Sequence, residues 1–258
     1  MADRSFSFVA DGRPFSFSGR VRLEGKDDLS LYPSLFLLEL WNLPEESFLL
    51  LSRTKKLSVS HAGACLVSGQ VSDVFRREIP DGTLTSVAVS SGLELWETPV
   101  SLTVPAGTSV SESVRSIFLE SGIGISLLND PAPDDFSLRP AVFFGRAAEC
   151  VTAALSAAKC RPVLTPSGIL AVPEGGLPAS YRLTEEDLQE EPSFVGGSAH
   201  GALTRMVLVT RLAGWRPGQS IEVNCGNIHA TGIISERGID ADTASGAWKS
   251  ELIVVLVN

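Results

Sequence analysis

Basic charge is scarce. Lys and Arg number 21 against 30 Asp and Glu, so the 258-residue chain carries a formal net charge of −9. A nucleic-acid binder needs a basic face to neutralise phosphates, and docking on anionic lipid needs one too, so both classes are disfavoured. Aromatic residues are few, at 7%, and there are only three histidines and four cysteines. The cysteines, Cys65, Cys150, Cys160 and Cys225, are far apart and form neither a CxxC pair nor a secreted-scaffold pattern. They read as reduced, buried thiols made in a cytoplasm. No apolar run approaches the roughly 18 residues of a membrane span. The opening "MADRSFSFVADG" has no continuous apolar core and does not read as a signal peptide.

What remains is 44% hydrophobic content with 23 Gly and 15 Pro. That suits a β-rich protein of two or three modest domains. Phe6 and Phe8 alternate on one face of "SFSFV", Asp11-Gly12 is a hairpin turn signal, and Phe15 and Phe17 alternate again. "LFLLELW" is apolar on both faces until Glu39 and ends at Trp41. Pro44 cannot donate to a ladder and restricts Leu43, so Asn42 to Pro44 ends the strand and "EESFLLL" reads as a helical turn. Further strands, "KLSVSHAG", "ACLVSGQVSDVF" and "TLTSVAVSS", are separated by His61-Ala62-Gly63, Gly69 and Pro80-Asp81-Gly82. About six or seven short strands in this region imply a small barrel or sandwich.

The period changes near residue 105. Val110, Val114, Ile117 and Phe118 share one helix face, Ser109 with Glu112 is a capping-box signature, and Gly122 is a C-terminal stop. "LLNDPAPDDFSLRP" reads as a loop. A second helix runs from about Arg146 to Lys159, with Ala147, Cys150, Val151, Ala154, Leu155 and Ala158 on one face. "RPVLTPSGILAV" is a hairpin turning at Pro166-Ser167-Gly168. From Tyr181 the chain returns to strands: "ALTRMVLVTRL", "SIEVNC", "IHATGIIS" and "AWKSELIVVLV", after the acidic segment "LTEEDLQEEP". The resulting division is 1–100 β, 101–178 α+β and 179–258 β.

Catalytic constellations do not emerge. His61, His200 and His229 lack metal-ligand spacing. His61 and Cys65 could be drawn as a thiol–imidazole pair, but i, i+4 across a turn does not face them together. Glu185, Glu186, Asp187, Glu190 and Glu191 form a solvated run, and Asp240 with Asp242 sits in "RGIDADTASG", which reads as a hairpin loop. "GGSAHGA" lacks the Lys and the strand–turn–helix frame of a phosphate loop. Trp41, Trp96 and Trp248 do not cluster in sequence and read as strand-end packing. No catalytic, cofactor-binding or metal residue is assigned, and no cofactor is expected.

Two stretches and the order of elements resemble the hub proteins at the tip of phage tails, the group of Mu-type and T-even baseplate hubs and late-control protein D. "LELWNLPEESFLLLSRTKKLSVSHAGACLVSGQVSDV" looks like the first barrel of that family, with "CLVSGQV" lacking the usual aromatic. "GWRPGQSIEVNCGNIHATGIISERGIDADTASGAWKSELIVVL" looks like its closing barrel, with Ser235-Glu236-Arg237-Gly238 where a His-Gly-Asp step is common. The resemblance implies a mainly β fold with an α+β insert, two small tail-tube-like β-barrels flanking a helix–helix–hairpin unit. It further implies a structural, non-enzymatic role in the virion, assembled in the bacterial cytoplasm. Three copies would present six barrels as a ring between tail tube and spike, and DNA would pass through the lumen without specific binding. The other readings are a hub component of a contractile injection machine and a β-rich cell-wall or carbohydrate-binding module.

Overall fold

The computed structural model describes residues 4–131, 140–174, 176–177, 179–197 and 203–257, and these fold mainly as strands with a few helices. The N-terminal part supplies β1 (Ser7–Ala10), β2 (Arg13–Phe15), β3 (Val21–Asp28), β4 (Ser34–Trp41), α1 (Glu45–Leu51), β5 (Lys56–His61), β6 (Ala64–Ile79) and β7 (Gly82–Ser91). Next come α2 (Leu93–Glu97), β8 (Pro99–Val104), α3 (Val110–Ser121), β9 (Ala141–Arg146), α4 (Ala147–Ala157), β10 (Cys160–Thr165) and β11 (Gly168–Pro173). The C-terminal part gives β12 (Ala179–Thr184), β13 (Ser193–Gly197), β14 (Leu203–Arg211), β15 (Ser220–Cys225), β16 (Ile228–Asp242) and β17 (Trp248–Leu256). The chain divides into two compact units, one made of residues 1–28, 34–91 and 178–258, the other of 29–33 and 92–177.

In the larger unit the two β regions share one sheet of 13 strands, ordered β13-β14-β17-β16-β3-β4-β7-β6-β5-β1-β2, with β15 also on β16 and β12 on β15. The join is β16 against β3, from Glu236↔Asp28 to Asp242↔Arg22. It exists because β16 is 15 residues long. Its first half pairs with β15 and its second with β3, and a bulge between Ile234 and Glu236 re-aims the strand at the changeover. This corrects the sequence reading of "RGIDADTASG" as a hairpin loop. Arg237 through Asp242 are strand, with Arg237, Ile239 and Ala241 buried in alternation. Charged residues at half the positions hid the period from view.

Two apolar clusters lie on this sheet. One gathers Phe8, Leu23, Phe36, Leu38, Leu57, Val59 and Val87, and takes Leu212, Ile239, Ala241 and Trp248 from the C-terminal part. The other holds Leu183, Met206, Leu208, Ile221, Val223, Leu252 and Val254. Alternation along each strand sends these residues inward. Gly69 does not interrupt β6, as the sequence suggested. A Cβ there would meet the Ser90 carbonyl oxygen at 2.4 Å, so the glycine allows β7 to lie close.

The WNLP step ends β4. Asn42 takes φ 58°, the left-handed region that Asn tolerates. Its backbone N–H donates to Thr83 O at 2.8 Å, and its side-chain Oδ1 accepts from Thr83 N at 2.9 Å. Trp41 is half-buried with the Arg20 guanidinium 4.2 Å from its ring centroid, so it is a packing residue.

The smaller unit forms around α3 and α4. The Ser109 hydroxyl accepts from Glu112 N at 3.2 Å, the Glu112 carboxylate accepts from Ser109 N at 3.0 Å, and Gly122 closes the helix at φ 67°. Val110, Val114, Ile117, Phe118, Cys150, Val151, Ala154 and Leu155 fill the core with Ile169 and Ala171 of the β10–β11 hairpin. Two elements went unread in the sequence. One is the ribbon of β8 and β9, whose strands are separated by α3; the other is the five-residue α2.

Within the β16–β3 join, Arg237 is 1% exposed and forks onto Asp27, its direct cross-strand partner, with a further bond to the Leu66 carbonyl at 2.9 Å. Truncating Arg237 to Ala leaves a buried carboxylate unpaired and should cost about 3–5 kcal/mol. Replacing both partners together, Arg237→Met with Asp27→Leu, should recover most of that loss. Urea unfolding followed by tryptophan fluorescence checks both. A single-variant cost below about 1 kcal/mol would mean that the pair contributes little.

Candidate interaction surface

The outward face of the larger sheet can be read from its registers, because directly paired residues share a face. Leu35 stands opposite Ser90, and Leu37 opposite Ala88. Asp73 is opposite Ala88, and Phe75 opposite Ser86. On the other side Leu37 faces Glu24, Glu39 faces Arg22, and Glu24 faces Asp240. Asp240 in turn faces Lys249. Leu35, Leu37 and Phe75 are 60%, 36% and 47% exposed, over a floor of small residues. An apolar field therefore runs into a charged field within six adjoining strands. Arg22 pairs with Glu24 at 2.8 Å and lies 3.8 Å from Asp240, near enough for attraction but too far for a hydrogen bond. Large apolar side chains held flat on a rigid sheet, rimmed by charge, suit a protein partner.

The candidate residues from the sequence do not converge. His61 Nδ1 lies 2.9 Å from the Ser5 carbonyl, which can only accept, so the ring donates there; it packs edge-on to Trp248 at 5.0 Å. In the β5–β6 ladder His61 pairs with Ala64 and Ser60 with Cys65, so imidazole and thiol point to opposite faces. The Cys65 Sγ–H donates to the Val67 carbonyl, and this thiol is half-buried rather than buried as expected. His200 lies outside the described residues. Trp96 belongs to α2 rather than to a strand end, and Trp248 is buried at the start of β17.

Glu185 to Asp187 form a short 3₁₀ turn in which the Asp187 carboxylate accepts from Thr184 N and Oγ1. Glu185, Glu190 and Glu191 line a cavity of about 620 Å³ with Gln189, Cys225 and Asn227. Burial pushes the Cys225 thiol up, and Glu185 and Asp187 add to it; burial pushes Cys150 up as well, with Glu149 adding. Raised thiols are protonated and poor nucleophiles. Among the described residues no three His, Cys, Asp or Glu side chains come together to hold a metal ion.

One polar chain escaped the sequence reading. Arg182 pairs with Glu222 at 3.0 Å, Asn224 donates to Glu222 at 3.0 Å, and His229 Nδ1 donates to Asn224 Oδ1 at 2.9 Å. The Asn224 hydrogen bond and then the Arg182 bond lower the Glu222 carboxyl. Only the β12–β15–β16 registers bring these residues together, so spacing carried no signal. These four residues are linked along one sheet face.

The fold defined by these elements is that of a mainly β protein with one shared sheet and a small α+β unit. No family model matches the sequence, and no curated protein matches it. Solved structures do, and they are phage tail and related proteins. The tail protein of Neisseria meningitidis MC58 superposes with a TM-score of 0.71 at 12% identity, over 97% of this chain and 95% of that one. The 43 kDa tail protein of prophage MuSo2 from Shewanella oneidensis gives 0.65 at 12%, over 98% and 97%. The E. coli c3393 protein is described as a component of the type VI secretion system with similarity to the T4 tail proteins gp27 and gp5. It gives 0.61 at 11%, over 97% and 77%. At these identities the likeness is one of fold. Among the described residues no helix is long and apolar enough to cross a membrane.

Asp242, buried at the end of β16, ties this face to the chain before β3. Arg20 grips it at 2.6 Å, and the backbone N–H of Ala244 donates to it at 2.9 Å. Burial alone would raise its carboxyl, but the Arg20 and Ala244 bonds outweigh burial and hold it at about 2. A lowered folded value gives stability that is present above the ordinary pKa of 3.8 and lost as pH falls through about 2. The gap is worth roughly 2 kcal/mol. Asp242→Asn should therefore be less stable than the parent by roughly that amount at neutral pH, and the difference should close as the pH falls toward 2. Urea midpoints of both proteins across acid pH check this. A difference independent of pH would contradict it.

Proposed function

We propose that this chain is a structural hub of a phage or prophage tail tip, joining the tail tube to the central spike. The observation that carries the reading is fold likeness over 97% and 98% of this chain to two tail proteins that are themselves covered almost end to end. The match thus involves a whole architecture rather than a shared module. In this reading residues 1–100 and 179–258 are two tube-like β-barrels, and residues 101–178 are the domain between them. Three chains form a ring of six barrels, and DNA passes through the lumen without specific binding. The net charge of −9 suits such a wall, because an acidic surface does not retain DNA. The protein is assembled in the bacterial cytoplasm, resides in the virion and has a scaffolding role rather than a catalytic one. Its partners are the tube, spike and baseplate proteins.

A second reading, a hub component of a contractile injection machine, is favoured by the likeness to a type VI secretion component. The two readings share the fold and differ in the assembly served.

The outward face around Leu35 and Leu37 is assigned to contacts between copies. A permanent ring needs more than about 1,000 Å² per interface with an apolar centre. Imaging of assembled tail tips should show three copies around a channel. Leu35→Asp with Leu37→Asp, at exposed positions, should leave the isolated chain folded and abolish incorporation into the tip. One or six copies per particle, or normal incorporation of the double variant, would reject the reading.

A further inference from the structure

The smaller unit carries a cavity of about 520 Å³ that the hub reading does not use. Its lining includes Leu31, Tyr32, Trp96, Glu149, Thr152 and Arg161. Tyr32 is 66% exposed, yet its ring lies parallel to that of Trp96, at 12° and a centroid distance of 4.8 Å. Trp96 is held from behind: its indole N–H donates to the Leu31 carbonyl, and the Arg146 guanidinium stands 5.6 Å from its centroid. An exposed aromatic ring stacked on a fixed one is a platform that needs little ordering when a second flat or apolar group arrives. Ala148 and Ala153 of α4, both small, also line the cavity.

The polar groups around the cavity discriminate between ligands. The Thr152 hydroxyl already donates to the Ala148 carbonyl at 2.8 Å. One oxygen of the Glu149 carboxylate already accepts from the Arg146 backbone N–H at 3.0 Å. A sugar would need several free polar groups for its hydroxyls, and here the Thr152 proton and one of the two Glu149 oxygens are already used. Arg161 is exposed at the rim, and its side chain has no partner among the described residues. A free guanidinium beside an apolar, aromatic cavity matches a carboxylate adjacent to an aromatic side chain.

The geometry points to a peptide-binding site in the smaller unit. Its occupant is an extended segment of a partner protein that seats an aromatic side chain against Tyr32 and Trp96 and sets a neighbouring carboxylate on Arg161. The inference is independent of the tail-hub reading.

The test uses the full chain and three probes: a capped tripeptide with phenylalanine between two aspartates, its counterpart with two asparagines, and chitotriose. Titration is followed by calorimetry and by NMR of the Trp96 indole N–H and the Tyr32 ring. The aspartate peptide should shift both signals and bind about fivefold more tightly than the asparagine peptide. Arg161→Ala should bring the two peptides to equal, weaker affinity, and Tyr32→Ala should weaken both. Both replaced residues are exposed, so the fold is preserved. Equal affinities in the parent protein, a preference that survives Arg161→Ala, or no shift with either peptide would overturn the proposal. Shifts with chitotriose in place of the peptides would overturn it too and assign the platform to a glycan.

Discussion

Strand β16 meets β3 across a seam bracketed by two reciprocal arginine–aspartate pairs. At one end Arg237 of β16 holds Asp27 of β3, and at the other Arg20, just before β3, holds Asp242 of β16. Each side of the seam thus gives one cation and one anion, across more than 200 residues of sequence. Burial pushes the Asp27 carboxyl up while the Arg237 guanidinium opposes it. Such a pair gives less net stability than an apolar one would, but it is costly to break and fixes alignment. A slip of one residue would unpair both ends and turn Ile239 and Ala241 out of the core.

The rest of the larger unit depends on that alignment. Because the seam is in register, Ile239, Ala241 and Trp248 complete the apolar cluster built by β3, β4, β5 and β7. Phe6, just before β1, and His61, at the end of β5, pack on Trp248 at 5.0 Å and so close against the start of β17. The same register lays Leu35 and Leu37 beside Glu24 and Asp240, which produces the apolar-to-charged gradient of the outward face. Surface chemistry here is a consequence of core pairing.

How much of this was legible in the sequence follows from interaction range. The Ser109–Glu112 capping box, the Asp11-Gly12 turn and the inward faces of α3 and α4 carry signals within a few residues, and Pro44 marks the strand end locally although Asn42 is held by the distant Thr83. Each was readable. The second half of β16 was not, because Arg237, Asp240 and Asp242 are charged and only the distant Asp27, Arg22 and Arg20 explain them. The β8–β9 ribbon and the Arg182–Glu222–Asn224–His229 chain failed for the same reason: they exist only once strands are registered. Trp96 was assigned to a strand end because α2 spans five residues, too few for a helical period to show. The α+β unit between the β regions was readable from its change of period, whereas the cavity beside Tyr32 needed the Leu29–Pro33 segment to fold with it.

The central claim is that the two β regions, though distant in sequence, are one cooperative body joined at the seam. Native-state hydrogen exchange measures this directly, through the opening free energy of amides in Leu23, Leu38, Ile239, Leu252 and Met206. These residues sample β3, β4, the second half of β16, β17 and β14. The account predicts one common plateau, equal to the global unfolding free energy within about 1 kcal/mol. Two plateaus several kcal/mol apart, with the seam amides of β3 and β16 in the lower one, would contradict it.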